Sequence, residues 1–193
     1  AAQMAWLSDN PGYAILGTQI DLIDDAGRPI ADVNRVPMTP AEFEAARELG
    51  PLMMHNSVLM RRDVITGLGG YRAAFRHAED YDLWLRAMER MPMANLPDRL
   101  VAYRQGPSQV SYRHVVEQRL NAAVAFEAGE ERRAGRPDPT QGLERLPHLS
   151  DLDVLFGRPV SRRIARRVVP DLLYATEFLT GEHFDLIFDY IAQ

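Results

Sequence analysis

Two adjacent carboxylates, Glu79 and Asp80, follow the glycine pair Gly69-Gly70 and open a segment with helical periodicity. A carboxylate in the first turn of a helix faces the positive end of the helix dipole, which favours its ionised form. At the edge of a cleft such a carboxylate, Glu79 or Asp80, can serve as a general base. The same residues also read as plain helix-start stabilisers, worth about 0.3–1 kcal/mol each. Gly69-Gly70 permits close backbone approach, as a ligand or a tight turn requires. The apolar run Leu100 to Tyr103 suggests a strand that ends at Tyr103-Arg104.

Composition removes several chemistries. The chain of 193 residues has no cysteine, so thiolate catalysis, disulfides and cysteine metal sites are excluded. Its 22 basic residues are all arginine, so neither a Schiff-base lysine nor a P-loop lysine is available. A net charge of −5 argues against general nucleic-acid binding. No apolar run is long enough to span a bilayer and no signal peptide is evident, which leads to the expectation of a cytoplasmic protein.

The elements that must position these residues follow from pattern. Residues up to Leu7 read as a short helix, and Ser8-Asp9-Asn10-Pro11-Gly12 is a turn. Tyr13 to Leu16 and Gln19 to Ile23 read as two short strands or one bent strand, closed by the turn Asp24-Asp25-Ala26-Gly27. Thr39-Pro40-Ala41-Glu42 is a helix start with a capping box and proline at the first position, running to about Leu49. Ser57 to Met60 reads as a short strand. Glu79 to Arg90 reads as a helix with Tyr81, Trp84, Leu85 and Met88 on one face and an Asp82–Arg86 pair on the other. His114 to about Arg133 is a helix with a stripe of Val115, Val116, Leu120, Ala123 and Val124. Residues 136–147 read as a linker, Ser161 to Phe178 as a helix that Pro170 kinks or splits, and Glu182 to Ile191 as a terminal helix.

Five strings in this order carry a resemblance: His55-Asn56-Ser57-Val58-Leu59-Met60-Arg61-Arg62; Gly69-Gly70-Tyr71; Ala78-Glu79-Asp80-Tyr81-Asp82-Leu83-Trp84-Leu85-Arg86; Leu100-Val101-Ala102-Tyr103-Arg104; and Ser108-Gln109-Val110-Ser111. Together they resemble the second, acceptor-side half of inverting family 2 glycosyltransferases, which have the GT-A fold and build bacterial surface polysaccharides. The resemblance covers about residues 1–113. It implies an α/β chain: a partial GT-A fold lacking its N-terminal nucleotide-binding half, helix-rich with a few short strands. Residues 114–193 would form a helical C-terminal extension.

By that resemblance Asp80 is the base that deprotonates an acceptor hydroxyl, and Glu79, Gly69, Gly70, Tyr71 and His55 bind the acceptor. Arg104 corresponds to an arginine near the donor phosphates. The partners implied are a nucleotide sugar and a glycan or lipid-linked acceptor. The implied cofactor is a divalent metal, Mg or Mn, held through an Asp-x-Asp that the family carries upstream of this region, so no metal ligand is assigned in this chain. Asp80-Tyr81-Asp82 and Asp151-Leu152-Asp153 match that pattern only by letter. Gly106 stands where the family commonly has a histidine.

Other features keep two readings. His55 is an interior histidine or a site residue, and His77 is a surface or loop residue or touches acceptor. Trp84 and the methionines read as core. Arg162, Arg163, Arg166 and Arg167 form a basic stripe, which is a solvated face or a contact with an anionic membrane surface, at the inner face of the membrane, or with a phospholipid-linked acceptor. A non-catalytic glycan-binding or scaffold remnant of the fold is the alternative to an enzyme.

Overall fold

The computed structural model describes residues 1–30, 35–48, 50–106 and 114–174. The Ser108–Ser111 string, the expected terminal helix Glu182–Ile191 and the end of the helix expected to reach Phe178 lie outside the described residues. Among those described the chain is α/β, with seven α-helices and one small mixed sheet. No helix among them is long and apolar enough to cross a membrane. Two compact units divide the chain: residues 1–71 with 83–106, and residues 72–82 with 107–193.

The first unit is built on the sheet. Strand β1 (Ile15–Ile23) lies centrally, antiparallel to β2 (Leu59–Met60) and parallel to β3 (Ala94–Arg104), in the order β2-β1-β3. Of the two expected readings, the segment forms the single strand, with an irregular register. Thr18 pairs with Leu96 but Gln19 pairs with Arg99, so Pro97 and Asp98 bulge out of the ladder. Proline has no N–H to give the ladder, and a bulge is where it is tolerated. Helix α1 (Ala2–Asp9) packs on β1, and Leu7, Leu16, Ala94 and Leu96 form a core cluster with Trp6, Tyr13 and Leu59 against it.

Gly17 faces Asn95 in the register, and a Cβ there would meet Asn95 Oδ1 at 2.1 Å. Asn95 cannot easily withdraw, because its Nδ2 donates to the carbonyls of Pro37 at 2.5 Å and Leu52 at 3.0 Å. The segment expected as a strand from Ser57 instead starts with a 3₁₀ turn, His55–Ser57, and only Leu59–Met60 pair. Ser57 explains the change. Its hydroxyl accepts from Thr18 N at 3.0 Å and is within bonding distance of the carbonyls of Thr18 and Met54, so the chain is pinned before it can extend.

Helix α2 (Pro40–Ala46) has the expected capping box: Thr39 Oγ1 accepts from Glu42 N, and Glu42 Oε2 accepts from Thr39 N. Glu42 Oε2 also accepts from Met38 N, and these backbone bonds hold its carboxyl below the usual range. Helix α3 (Arg62–Gly67) and helix α4 (Glu79–Met88) follow.

In the second unit, helix α5 (Val115–Arg133) packs against helix α7 (Ser161–Tyr174), with the short helix α6 (Leu152–Phe156) between them in sequence. Val116, Ala123 and Val124 of the expected stripe are buried, as are Ile164, Ala165, Val168 and Val169 of α7. Pro170 lies inside α7, which runs on to Tyr174 and is not split there.

The unexpected content of α5 is charge. Glu127 and Glu131 are buried, and arginines from elsewhere satisfy them. Arg158 Nε donates to Glu131 at 2.7 Å and Nη2 to Glu127 at 3.0 Å; Arg136 and Arg163 pair with Glu131 and Glu127 respectively. The Arg136 bond, aided by Arg158, brings the Glu131 carboxyl down to about 2. The basic stripe is accordingly divided. Arg163 is paired with Glu127 and Arg167 lies 4.4 Å over the Phe126 ring; Arg162, Arg163 and Arg166 are all exposed.

Candidate functional site

The glycine pair is fixed by the end of α3. Gly70 N donates to Ile65 O and Gly69 N to Thr66 O, both at 2.9 Å, the nested pattern of a Schellman cap. Such a cap requires a left-handed residue, and Gly69 and Gly70 have φ of 84° and 66°. A side chain at either would meet nothing within 4 Å, so backbone conformation alone demands glycine here. Arg86 of α4 closes the turn from below, donating to the carbonyls of Leu68 at 2.5 Å and Gly70 at 2.7 Å.

That turn delivers Tyr71 to His55. The Tyr71 hydroxyl is 2.9 Å from His55 Nε2, and Tyr71 is 42% exposed. The His55 ring lies edge-on to Trp84, 6.1 Å between centroids, and Trp84 is 1% exposed. Trp84 is thus core, as expected, and serves as the floor under His55. Its indole Nε1 is buried and has no hydrogen-bond partner among the described residues. The first unit therefore brings Gly69, Gly70, Tyr71 and His55 together as a polar rim over an aromatic floor.

Arg104 sits at the end of β3, paired in register with Ile23. Its Nη1 donates to the carbonyls of Asp24 at 2.6 Å and Asp25 at 2.7 Å, locking the expected Asp24-Asp25-Ala26-Gly27 turn. Asp24 also accepts from the amides of Ala26 and Arg28 and from Arg28 Nε, and those bonds from Arg28 hold its carboxyl below the ordinary range. A Cβ at Gly106 would lie 3.3 Å from Asp25 Oδ1.

In the second unit Glu79 and Asp80 occupy the first turn of α4, both half-buried, and Asp80 Oδ1 accepts from Tyr81 N at 2.7 Å. Asp82 and Arg86, expected as an i,i+4 pair on the other face of the helix, are both buried. Residues 82–87 are buried without a break, so α4 has no polar side in this stretch. Asp82, 0% exposed, is held by both guanidinium ends of Arg72, with Nε at 2.9 Å from Oδ2. Arg72 also reaches Asp138 at 2.9 Å and lies 4.5 Å over the Phe75 ring. Asp138 in turn accepts from Arg132 at 2.6 Å and from the amide and hydroxyl of Thr140. Burial pushes the Asp138 carboxyl up, but Thr140, Arg72 and Arg132 outweigh it and hold the group below its usual value.

The expected Mg or Mn ion finds no fit in either Asp-x-Asp string. Asp82 is committed to Arg72, and Asp153 Oδ1 accepts from the amides of Val160 and Ser161, both at 2.7 Å, at the start of α7.

His77 lies half-buried in the turn before α4. It adopts φ 64°, a left-handed conformation that costs a non-glycine residue roughly 1 kcal/mol or more. Gln118 donates to its carbonyl at 2.9 Å and Asn121 to that of Arg76 at 2.8 Å, and these bonds from α5 hold the bend. His77 stacks on His114, with ring centroids 4.3 Å apart. Sequence reading missed this pairing and the Arg72–Asp82–Asp138 network; the only local signal was the i,i+3 spacing of His114 and Glu117.

No family model matches the chain. It is 29% identical over 112 residues to the amylovoran biosynthesis glycosyltransferase AmsE of Erwinia amylovora, covering 58% of this chain and 41% of that protein. It is 31% identical over 117 residues to an uncharacterized glycosyltransferase of Haemophilus influenzae, covering 60% of this chain and 43% of the relative. The chain thus spans less than half the length of these curated relatives, and over some three-fifths of its own length its sequence is similar to that of glycosyltransferases.

Proposed function

We propose that this chain is the acceptor-side part of an inverting GT-A glycosyltransferase of the family 2 type, acting in bacterial exopolysaccharide synthesis. The similarity to the two glycosyltransferases, one of them named for amylovoran biosynthesis, carries this reading. In it, Asp80 takes the proton of an acceptor hydroxyl as that oxygen attacks the anomeric carbon of a nucleotide sugar. The bond to the diphosphate breaks on the opposite face, giving inversion. An aspartate in the first turn of a helix is biased toward the ionised form a base needs. Glu79, the His55–Tyr71 pair and the Gly69-Gly70 backbone are assigned to binding the acceptor. Arg104 offers a fixed guanidinium to the charge that develops on the leaving diphosphate.

The test uses the complete gene product that includes this chain, with UDP- or GDP-sugars and Mn. Asp80→Asn should lower the transfer rate by about 10²–10⁴, the usual contribution of a general base, and leave nucleotide affinity unchanged. Wild-type transfer by Asp80→Asn would remove the base assignment. A gene product that binds no nucleoside diphosphate would move the reading to a glycan-binding or scaffold role.

A further inference from the structure

We propose that His77, His114 and Glu117 form a binding site for a borderline transition-metal ion, with Zn²⁺ the best fit. This site stands apart from the sugar-transfer reading, whose expected Mg or Mn belongs to carboxylate ligands.

The three side chains come from two stretches of chain. His77 lies on the bend before α4, and His114 and Glu117 lie three residues apart at the start of α5, a spacing that puts them on one face. One ligand atom from each lies within 4.8 Å of the others. His77 Nε2 and Glu117 Oε2 are already 3.6 Å apart. Around a tetrahedral zinc with bonds near 2.0–2.1 Å, ligand atoms are separated by about 3.3 Å, so modest side-chain rotation closes the set.

The chemistry of the set selects the metal. Two imidazoles and one carboxylate suit zinc, nickel or cobalt, while magnesium and calcium want oxygen ligands. Three protein ligands leave a fourth position for water or a substrate atom, the arrangement of catalytic rather than structural zinc.

Two observations point to a ligand rather than to simple packing. His77 Nε2 is buried and has no hydrogen-bond partner among the described residues, although buried polar atoms are normally satisfied. The backbone at His77 is also held left-handed by bonds from Gln118 and Asn121 of α5, the helix that begins beside the other two ligands. The strained bend thereby presents the imidazole to His114 and Glu117.

The experiment titrates ZnCl₂ by calorimetry into the tag-free, chelator-treated chain, with Co²⁺ absorption as a second readout of coordination. Wild type should take up one zinc per chain at micromolar concentration or tighter, give a tetrahedral-type cobalt spectrum, and unfold at a higher temperature when loaded. His77→Asn, chosen because asparagine tolerates the left-handed backbone, should lose that uptake. So should His114→Asn, and Glu117→Gln should weaken it at least tenfold. His148→Asn should change nothing. Circular dichroism checks that each variant is folded, and the half-exposed Glu117 is the variant least able to disturb packing. Absence of zinc uptake by wild type below millimolar concentration, or equal uptake by the His77→Asn/His114→Asn double variant, overturns the proposal and leaves a stacked histidine pair.

Discussion

Replacing Asp138 by alanine should destabilise the protein by about 3–5 kcal/mol, the range for removing one partner from a buried ion pair. The magnitude follows from what Asp138 holds. Its carboxylate receives Arg72 and Arg132, whose side chains are only 13% and 15% exposed, and it also accepts two bonds from Thr140. Without it, Arg132 loses this buried counter-charge and Arg72 keeps only Asp82 of the two. Asp138→Asn should fall between wild type and alanine, because an amide oxygen still accepts from Thr140 but carries no charge. Urea unfolding followed by circular dichroism measures the loss. The pH dependence supplies a second check. A carboxyl depressed in the folded state contributes stability that is complete above its unfolded value near 3.8 and disappears as pH falls through the lower folded value. The gap between wild type and Asp138→Ala should therefore be flat from pH 8 to about 5 and shrink below about 4. A loss under about 1 kcal/mol at pH 7, the size of a surface pair, would refute the buried-network account.

Gly17→Ala should destabilise by about 2–3 kcal/mol, since the new methyl drives Asn95 from two buried carbonyl acceptors; chemical denaturation measures it, and Asn95→Gly should recover part of the loss in the double variant. Arg136→Ala should make unfolding begin at higher pH on acid titration. Glu131 titrates at about 2 in the fold and 4.5 outside it, so its stabilisation is whole above about 4.5 and is lost between 4.5 and 2. Losing Arg136, the largest cause of the depression, raises the lower edge of that window, and identical acid midpoints would count against the pairing.

What the sequence disclosed was local. The capping box at Thr39, the glycine turn after α3 and the start of α4 depend on neighbours within a few residues, so spacing alone reveals them. What it concealed was long-range. The i,i+4 spacing of Asp82 and Arg86 is all that one helix shows. Asp82 also holds the guanidinium of Arg72, ten residues before it, and Arg72 is itself tied to Asp138 sixty-six residues on. Glu127 and Glu131 repeat the lesson: charged residues at helical spacing suggest a wet face, yet arginines from elsewhere in the chain let them be buried. Within the candidate site, the His55–Tyr71 contact depends on the glycine turn and had been assembled only through the family resemblance, whereas nothing in the order of residues joins His77 to His114.

The parallel pairing of β1 with β3 also governs how the chain reaches its fold. Leu16 meets Ala94 and Ile23 meets Arg104, so the ladder closes a loop of about eighty residues before its first bond forms. Such distant pairing is intrinsically slow, because the entropy of loop closure must be met before any contact rewards it. During synthesis the apolar strand Ile15–Ile23 leaves the ribosome long before its larger partner exists, with only two residues of β2 to shield one edge. At elongation rates of about 5–20 residues per second that interval lasts several seconds. For that time the strand is an open template for other chains, so yield in the cell depends on chaperone supply as well as on final stability.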